Sequence, residues 1–545
     1  MMNIEPRFHD EEITSESELV CDEMTHSLLI RMGCSDDAAT LCALAVSTQA
    51  QGNVCLGPLE QKDCDILSHY PNVISDDGTR PFVLKNNLLY TRRNWLYEQT
   101  VIQRMTEMSA QTFDNDIDIP TDGIFQNMGQ RQREAVQMMC SRQFSLLTGG
   151  PGTGKTYTIA RAVLLSRRTD SRLRLGLAAP TGKAAARVKE AMTAEANNLG
   201  LNDMPPATTI HSLLQSNYDL VTFKHNKANP LPLDWLIVDE ASMIDLPLMA
   251  KLLDALPSNC RLTLVGDAHQ LASVEPGRVF GDLCRMAGLP KCELDVSRRF
   301  PQGGEIERLS AAVNTGDGET ALTMLKNTDN QLLHYTSLAN ISADNPQFWS
   351  GFEDNVKKHF QRFVGSASPE EALKALNDCR ILCAMRHGPY GMTRLNTYVK
   401  SILDDNAPIP MMIVKNNHSL CVNNGDVGVV IPKLKDDSLH LYDGNGNVRS
   451  IRLALLPELE MAFASTIHKA QGSEYENVII VLPPYSKLHG TESDNPLLTR
   501  EILYTAITRT QKGVFLYGGD DSIRTCCSHA VKRQTGMTYT IDKED

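Results

Sequence analysis

The sequence predicts an α/β protein with two parallel-sheet domains, a small domain ahead of them, and an all-β insertion in the second. Three observations lead there. From Phe125 onward, short apolar runs alternate with amphipathic helical patterns, at residues 144–147, 175–179, 236–239 and 262–266 among others. This is the signature of parallel strands joined by crossover helices. A glycine-rich loop directly follows the first run and opens a helix. Residues 408–456 carry dense strand patterns and the turns Asn423-Asn424-Gly425-Asp426 and Asp443-Gly444-Asn445-Gly446-Asn447, with no helix-length period. That pattern reads as a compact β unit.

Length and punctuation give the rest of the layout. At 545 residues the chain exceeds what one core holds, so roughly two to four domains are expected. Residues 24–110 mix helical patterns with short strand-like runs, and the polar, acid-rich stretch from Gln111, with Pro120, reads as a linker. The expected boundaries are residues 1–110, a linker at 111–124, and parallel-sheet domains at 125–296 and 297–545. Residues 1–37 hold ten acidic against two basic side chains and read as a solvated lead-in.

Composition narrows the function classes. With 42% apolar and 22% charged residues, the chain reads as an ordinary soluble globular protein. No apolar stretch approaches the roughly 18 residues a bilayer needs, so no membrane association is expected. The acidic start, Met1 to Glu12, lacks the apolar run of a secretory signal, and a cytoplasmic location is expected. Fourteen cysteines are scattered without the paired short spacings of a zinc or iron–sulfur site, Cys379 and Cys383 being four apart. They read as reduced thiols of a reducing cytosol. A net charge of −13 argues against a broad basic surface coating duplex DNA, but leaves room for a narrow groove gripping one strand.

The chemistry is most legible at Gly149-Gly150-Pro151-Gly152-Thr153-Gly154-Lys155-Thr156, a complete G-x-x-x-x-G-K-[ST] pattern between a strand and a helix. The glycines let backbone N–H groups close around phosphate, and the helix N-terminus adds a favourable dipole. Lys155 is expected at the β/γ-phosphates and the Thr156 hydroxyl on Mg²⁺. Asp239-Glu240 ends the strand pattern 84 residues after Lys155. There Asp239 suits the metal, and Glu240 suits orienting or deprotonating the attacking water. Gly266-Asp267 and Gln270 close the next strand, with Gln270 as a γ-phosphate sensor and Asp267 behind the metal. These residues predict hydrolysis of a nucleoside triphosphate, without saying what it drives.

The series of motifs is more specific. Gln132-Arg133-Glu134-Ala135-Val136, the phosphate loop, Ala179-Pro180-Thr181-Gly182-Lys183-Ala184-Ala185 and Thr209-Ile210-His211 come first, followed by Asp239-Glu240-Ala241-Ser242-Met243 and Val265-Gly266-Asp267-Ala268-His269-Gln270-Leu271. Ser297-Arg298-Arg299-Phe300, Thr466-Ile467-His468-Lys469-Ala470-Gln471-Gly472-Ser473-Glu474 and Tyr504-Thr505-Ala506-Ile507-Thr508-Arg509 complete the order. This series resembles superfamily 1 helicases, which implies two RecA-like domains gripping ATP between them and translocating on single-stranded nucleic acid. Gln132, or nearby Gln130, would bond the adenine edge. Arg299, beside which Arg298 stands, and Arg509 would reach across the cleft, where planar guanidinium groups suit the charge of a transferring γ-phosphoryl group. Gly472 and Glu474 resemble positions that touch the nucleotide from the second domain. The expected strand contacts are Pro180, Thr181, Lys183, Thr209, His211, Thr466, His468, Lys469 and Gln471, groups able to hold phosphates without reading sequence.

Within that superfamily the chain is similar to the RecD family, the α subunits of bacterial exonuclease V (RecBCD). The likeness rests on residues 149–156, 179–187, 239–247 and 468–474, on Leu382-Cys383-Ala384-Met385-Arg386 with Gly388-Pro389, and on residues outside the motor. The latter are Asn53-Val54-Cys55-Leu56 and the segment holding Leu89, Tyr90, Arg93, Trp95 and Glu98. The resemblance implies 5′-to-3′ translocation within a heterotrimer containing RecB- and RecC-like subunits that processes double-strand DNA ends for recombination. It also implies an N-terminal domain docking onto the RecC-type subunit, an SH3-like insertion at 408–456 and a small 1B element at 220–233. No carboxylates cluster with a lysine beyond the ATP site, so nuclease activity is expected in a partner. Two alternatives stay open: a free-standing RecD-like helicase, and an ATP-gated structural subunit that does not unwind.

Overall fold

A computed structural model describes residues 23–113, 118–121, 123–201, 204–216, 222–297, 299, 303–327, 329–338, 346–417, 419–443, 446–485 and 497–537. Four sheets organise it. The first belongs to the N-terminal domain and orders Cys55–Leu56, Leu88–Thr91, Phe82–Lys85 and Ile74–Ser75. The helix Asp36–Ser47 packs against it. Ser35 caps that helix by accepting from Ala38 N, and Asp36 and Asp37 meet its positive end. The long helix Arg92–Ser109 then packs on Leu246–Asp254 of the next domain, so the N-terminal domain is built onto its neighbour.

The second sheet is fully parallel and runs Lys291–Leu294, Phe144–Gly149, Arg261–Gly266, Trp235–Val238, Leu175–Ala179, Thr208–Thr209. All residues of Phe144–Gly149 and Trp235–Val238 are buried, as expected where helices cover both faces. The third sheet, also parallel, orders Leu333–Ser337, Thr510–Gly518, Tyr475–Val481, Cys379–Cys383 and Ala464–Thr466. Two parallel-sheet domains were expected, and two are found. Loops at the carboxyl ends of their strands form the walls of one cleft, the usual place for ligands of open α/β sheets.

The fourth sheet is antiparallel and orders Val448–Arg452, Ser438–Tyr442, Val427–Val430, Ile409–Ile413 and Leu459–Met461. The β insertion was expected to stop at 456. Its first strand, however, takes Leu459–Met461 as an edge partner, so the sheet extends past residue 456. Of the segment 220–233, residues 220 and 221 lie outside the described residues; the rest carries a bridge between Asn226 and Asn229. The tail 531–537 leaves the second parallel-sheet domain and buries Met537 in a core shared with Val54, Tyr90, Val101 and Met105. Spacing cannot foresee such a return.

Among the described residues, no helix is long and apolar enough to cross a membrane. Their cysteines are free thiols, buried except for Cys284 and Cys421.

Candidate nucleotide site between the two parallel sheets

The strand Phe144–Gly149 ends at the glycine-rich loop, and the helix Lys155–Thr169 begins directly after it. Gly149 has no room for a side chain, because a Cβ there would meet the Leu294 carbonyl oxygen at 2.7 Å. Gly152 and Gly154 adopt φ of 76° and 86°, a left-handed conformation that glycine enters without steric cost. The Thr153 hydroxyl donates to Gly150 O at 2.8 Å, and Lys155 Nζ donates to Gly149 O at 2.7 Å and Gly150 O at 3.1 Å. The loop is thereby curled around its own lysine.

Asp239 follows the buried strand Trp235–Val238, and the Glu240 N–H donates to Asp239 Oδ1 at 2.8 Å. Glu240 sits at φ 53°, an uncommon position for a non-glycine residue. Burial first, then the neighbouring Glu240 carboxylate, push the Asp239 carboxyl up to about 6, with Lys155 and Arg187 opposing. On the adjacent strand's loop, the Asp267 carboxylate accepts from His269 N, Gln270 Nε2 and the Tyr504 hydroxyl, each at 3.0 Å. Tyr504 belongs to the second domain, so this carboxylate sits on the seam.

These groups share a cavity of about 260 Å³. The first domain contributes residues 151–156, Asp239, Glu240, Asp267, Gln270, and Ala184, Arg187, Val188 and Ala191 of the helix Gly182–Leu199. Arg299, Glu474 and Arg509 face them from the far side. Glu474 pairs with Arg299 on its own side and with Arg187 across the cleft. Arg509 is buried, donating to Thr505 O at 3.3 Å and Ser473 O at 3.2 Å. Burial, then Arg187 and Arg509, bring the Arg299 guanidinium down to about 10. Arg298 lies outside the described residues.

The two glutamines separate clearly. Gln132 is buried, caps its helix through Gly129 N at 3.1 Å and donates to Thr153 O of the phosphate loop at 3.5 Å. Gln130 lies on the exposed face, donating to Glu134 at 3.0 Å. Gly472, at φ 70°, packs on Ala184 rather than lining the cavity.

Most of the expected strand contacts gather at two edges. Thr209 and His211 follow the edge strand Thr208–Thr209 of the second sheet; Thr466, His468 and Lys469 follow the edge strand Ala464–Thr466 of the third. Thr181 caps the helix Gly182–Leu199 through Ala184 N at 3.2 Å, with Pro180 just before it. His211 is exposed, its ring 5.8 Å from that of Phe223. Lys469 pairs with Glu460 at 3.1 Å, and burial, then Arg533, pull the His468 imidazole down. Lys183 is half-buried and turned toward Tyr475 and Asp426. Gln471 is buried, and its amide donates to Leu271 O at 2.9 Å, because the turn after His468 brings it against the first domain.

Sequence reasoning missed Arg187 and Tyr504. Both stand inside quoted motifs, but their roles depend on partners from the opposite domain. Pairing across a cleft leaves no signal in spacing.

Residues 132–276 match a family described as an AAA domain, and residues 461–517 one described as a UvrD-like helicase C-terminal domain. The chain is 35% identical to the RecBCD enzyme subunit RecD of Mycolicibacterium smegmatis, over 84% of this chain and 83% of that one. It is 32% identical to the same subunit of Haemophilus influenzae, over 75% and 72%. Against the ATP-dependent RecD2 DNA helicase of Deinococcus radiodurans it is 30% identical over 72% of this chain and 49% of that one. Among solved structures, the Pif1 helicase from Bacteroides in complex with ADP-AlF3 and single-stranded DNA is similar with TM-score 0.41 and 15% identity, over 76% and 96%. Two matched segments in the expected order, and 35% identity over 84% of this chain and 83% of its relative, lead to one conclusion: the chain belongs to the RecD family of RecBCD enzyme subunits.

Proposed function

We propose that the protein is an ATP-driven 5′-to-3′ translocase and helicase on single-stranded DNA, working beside RecB- and RecC-like subunits on double-strand ends in the cytoplasm. One observation carries the ATPase reading. Arg187, Arg299 and Arg509, drawn from both parallel-sheet domains, converge on one cavity with Lys155, Asp239, Glu240 and Gln270. Three guanidinium groups gathered beside a lysine in one cavity suit a polyanion, and a triphosphate supplies one.

The residues divide the chemistry between them. Backbone N–H groups of residues 152–156 and the Lys155 ammonium hold the β- and γ-phosphates. Glu240, beside the cavity, orients and deprotonates water, while Arg299 and Arg509 balance the charge that develops on the γ-phosphoryl oxygens. Gln132, seated against the phosphate loop, bonds the adenine. Thr156 and Asp239 suit Mg²⁺: a buried carboxyl raised to about 6 is one that lacks a compensating cation. When bound there, the ion would neutralise phosphate charge.

Coupling to DNA follows from geography. The strand-contact candidates lie after the two edge strands, one per sheet, so a change in cleft width changes the distance between the grips. The resemblance supplies the polarity. The β unit at 409–461 answers to the SH3-like insertion and the segment 222–233 to the 1B element. Docking of the N-terminal domain is supported by Met24, Leu28, Met32 and Leu44, which are 69%, 58%, 52% and 46% exposed.

The test is ATP hydrolysis by the purified chain with and without single-stranded DNA, with Lys155→Gln as control. Stimulation that Lys155→Gln abolishes, and 5′-overhang preference on end-labelled duplexes, support the proposal. Absence of stimulation both alone and with RecB- and RecC-like subunits would overturn it, in favour of an ATP-gated structural subunit. Full unwinding without them would favour a free-standing helicase.

A further inference from the structure

The tail 531–537 crosses three bodies in seven residues. Val531 N donates to Glu501 at 3.0 Å in the second parallel-sheet domain. Gln534 then pairs with the N-terminal domain, donating to Asn53 Oδ1 and accepting from Val54 N, both at 2.8 Å. Thr535 and Gly536 donate to the buried Glu98 carboxyl at 2.6 and 2.9 Å. Met537 finishes in the core. The tail is a strap.

Arg533 is the strap residue aimed at the ATP machinery. Its guanidinium donates to the carbonyls of Ser273 at 2.5 Å, Gly277 at 2.8 Å and Glu275 at 3.0 Å. All three belong to the turn that follows Gln270 and Leu271. The N-terminal domain holds the same turn beside Arg533, Gly277 N donating to Gly52 O at 3.0 Å, and a side chain on Gly52 would run into the Arg533 guanidinium. The next residue, Arg278, returns to the sensor loop itself. It donates to Ala268 O at 2.7 Å, between Asp267 and Gln270, and pairs with Glu501 at 3.3 Å. Burial, then Arg278, depress the Arg533 guanidinium, with Asp282 and Glu501 opposing. Two partly buried guanidinium groups side by side repel one another, and a tail needing mere attachment has no use for them.

We propose that Arg533 is a positioning residue for ATP hydrolysis. Through the 273–277 turn it sets the Asp267–Gln270 loop against the cleft, and the strap ties that setting to the N-terminal domain. Anything that docks on the N-terminal domain thereby gains a route to the γ-phosphate sensor. This rests on the ATP-driven reading above.

No strap residue lines the ATP cavity. Losing Arg533 should therefore change how the sensor meets the transition state and leave nucleotide binding alone, a kcat effect without a KM effect. The experiment measures steady-state ATP hydrolysis with saturating single-stranded DNA for the full chain, Arg533→Ala, Arg533→Lys and Asn53→Ala, with melting curves for each. A wild-type chain that DNA stimulates neither alone nor with RecB- and RecC-like subunits overturns the motor reading rather than this inference. The expected result is a kcat about tenfold lower in Arg533→Ala, as small misplacements of catalytic groups give, with KM for ATP unchanged. Arg533→Lys should fall similarly, since an ammonium cannot reproduce the fork, and Asn53→Ala should fall less. A folded Arg533→Ala with wild-type kcat, or one whose loss lies in KM, overturns the proposal. Should Arg533→Ala fail to fold, wild-type kcat in both other variants overturns it.

Discussion

The Tyr504 hydroxyl donates to Asp267 at 3.0 Å, joining the helix Arg500–Ile507 of one domain to the sensor loop of the other. Two further bonds flank it: Leu271 N donates to Thr505 Oγ1 at 3.1 Å, and Gln471 Nε2 to Leu271 O at 2.9 Å. The segment between the strand Arg261–Gly266 and the 273–277 turn is thus held by both halves of the cleft. Arg509 lies just past the same helix, so the group that balances γ-phosphoryl charge and the group that senses it share one junction.

Replacing Tyr504 with Phe keeps the ring and deletes the bond. A buried hydrogen bond to a charged acceptor contributes about 1.5–3 kcal/mol. Expressed in the transition state, that is roughly a tenfold or greater fall in kcat for DNA-stimulated hydrolysis. Steady-state kinetics check it, and an unchanged kcat would show that the junction bond is not used.

Lys155→Gln removes the cation at the centre of the phosphate loop. Loss of one preorganised electrostatic partner costs about 10²- to 10³-fold in rate, so hydrolysis should fall to background while the fold persists. Circular dichroism and ATPase assays on the same preparation separate the two.

Arg299→Ala and Arg509→Ala should each lower kcat by about 10³-fold, the scale of an arginine acting on a transferring phosphoryl group. Because both address the same charge, the double variant should be barely worse than either single one. Nucleotide binding, followed with a fluorescent analogue, should weaken far less than turnover.

The raised Asp239 carboxyl gives a pH signature. Native Asp239 keeps its proton up to about 6, whereas an unfolded chain releases it near 4. This group's contribution to stability therefore falls as pH rises between those values and is constant above them. Metal–nucleotide binding, which needs the carboxylate, should weaken as pH drops below about 6. Titrating Mg²⁺-dependent binding across that range, with Asp239→Asn as the insensitive control, decides the matter.

Met537→Ala tests the strap's anchor. The side chain is 1% exposed within the core shared by the first two domains, and such truncations cost about 2–5 kcal/mol. A clear drop in melting temperature is expected. No drop would place the strap's grip entirely in its hydrogen bonds.

The catalytic loops were legible because each is local. Gly149 to Thr156, Asp239-Glu240 and Asp267 to Gln270 each sit at the end of an apolar strand, and strand–loop–helix order projects them to one edge. Gln132 over Gln130 was not legible: both begin the same helix, and only packing turns one inward. The burial of Gln471 was not legible either, since a polar residue in such a motif looks exposed until the first domain covers it. Arg187 and Tyr504 stood in plain view within motifs, but their partners are Glu474 and Asp267, far away along the chain.

The sequence by itself determined the two parallel sheets, the family and the glycine-rich loop between strand and helix, because apolar periodicity and glycine-bearing turns are short-range properties written residue by residue. The tertiary structure alone decided which cations share the cleft, that the β unit takes Leu459–Met461 as its edge strand, and that the tail straps back onto the N-terminal domain. Those outcomes depend on burial and on hydrogen-bond partners brought together from distant segments, and buried polar groups must find partners wherever the fold places them.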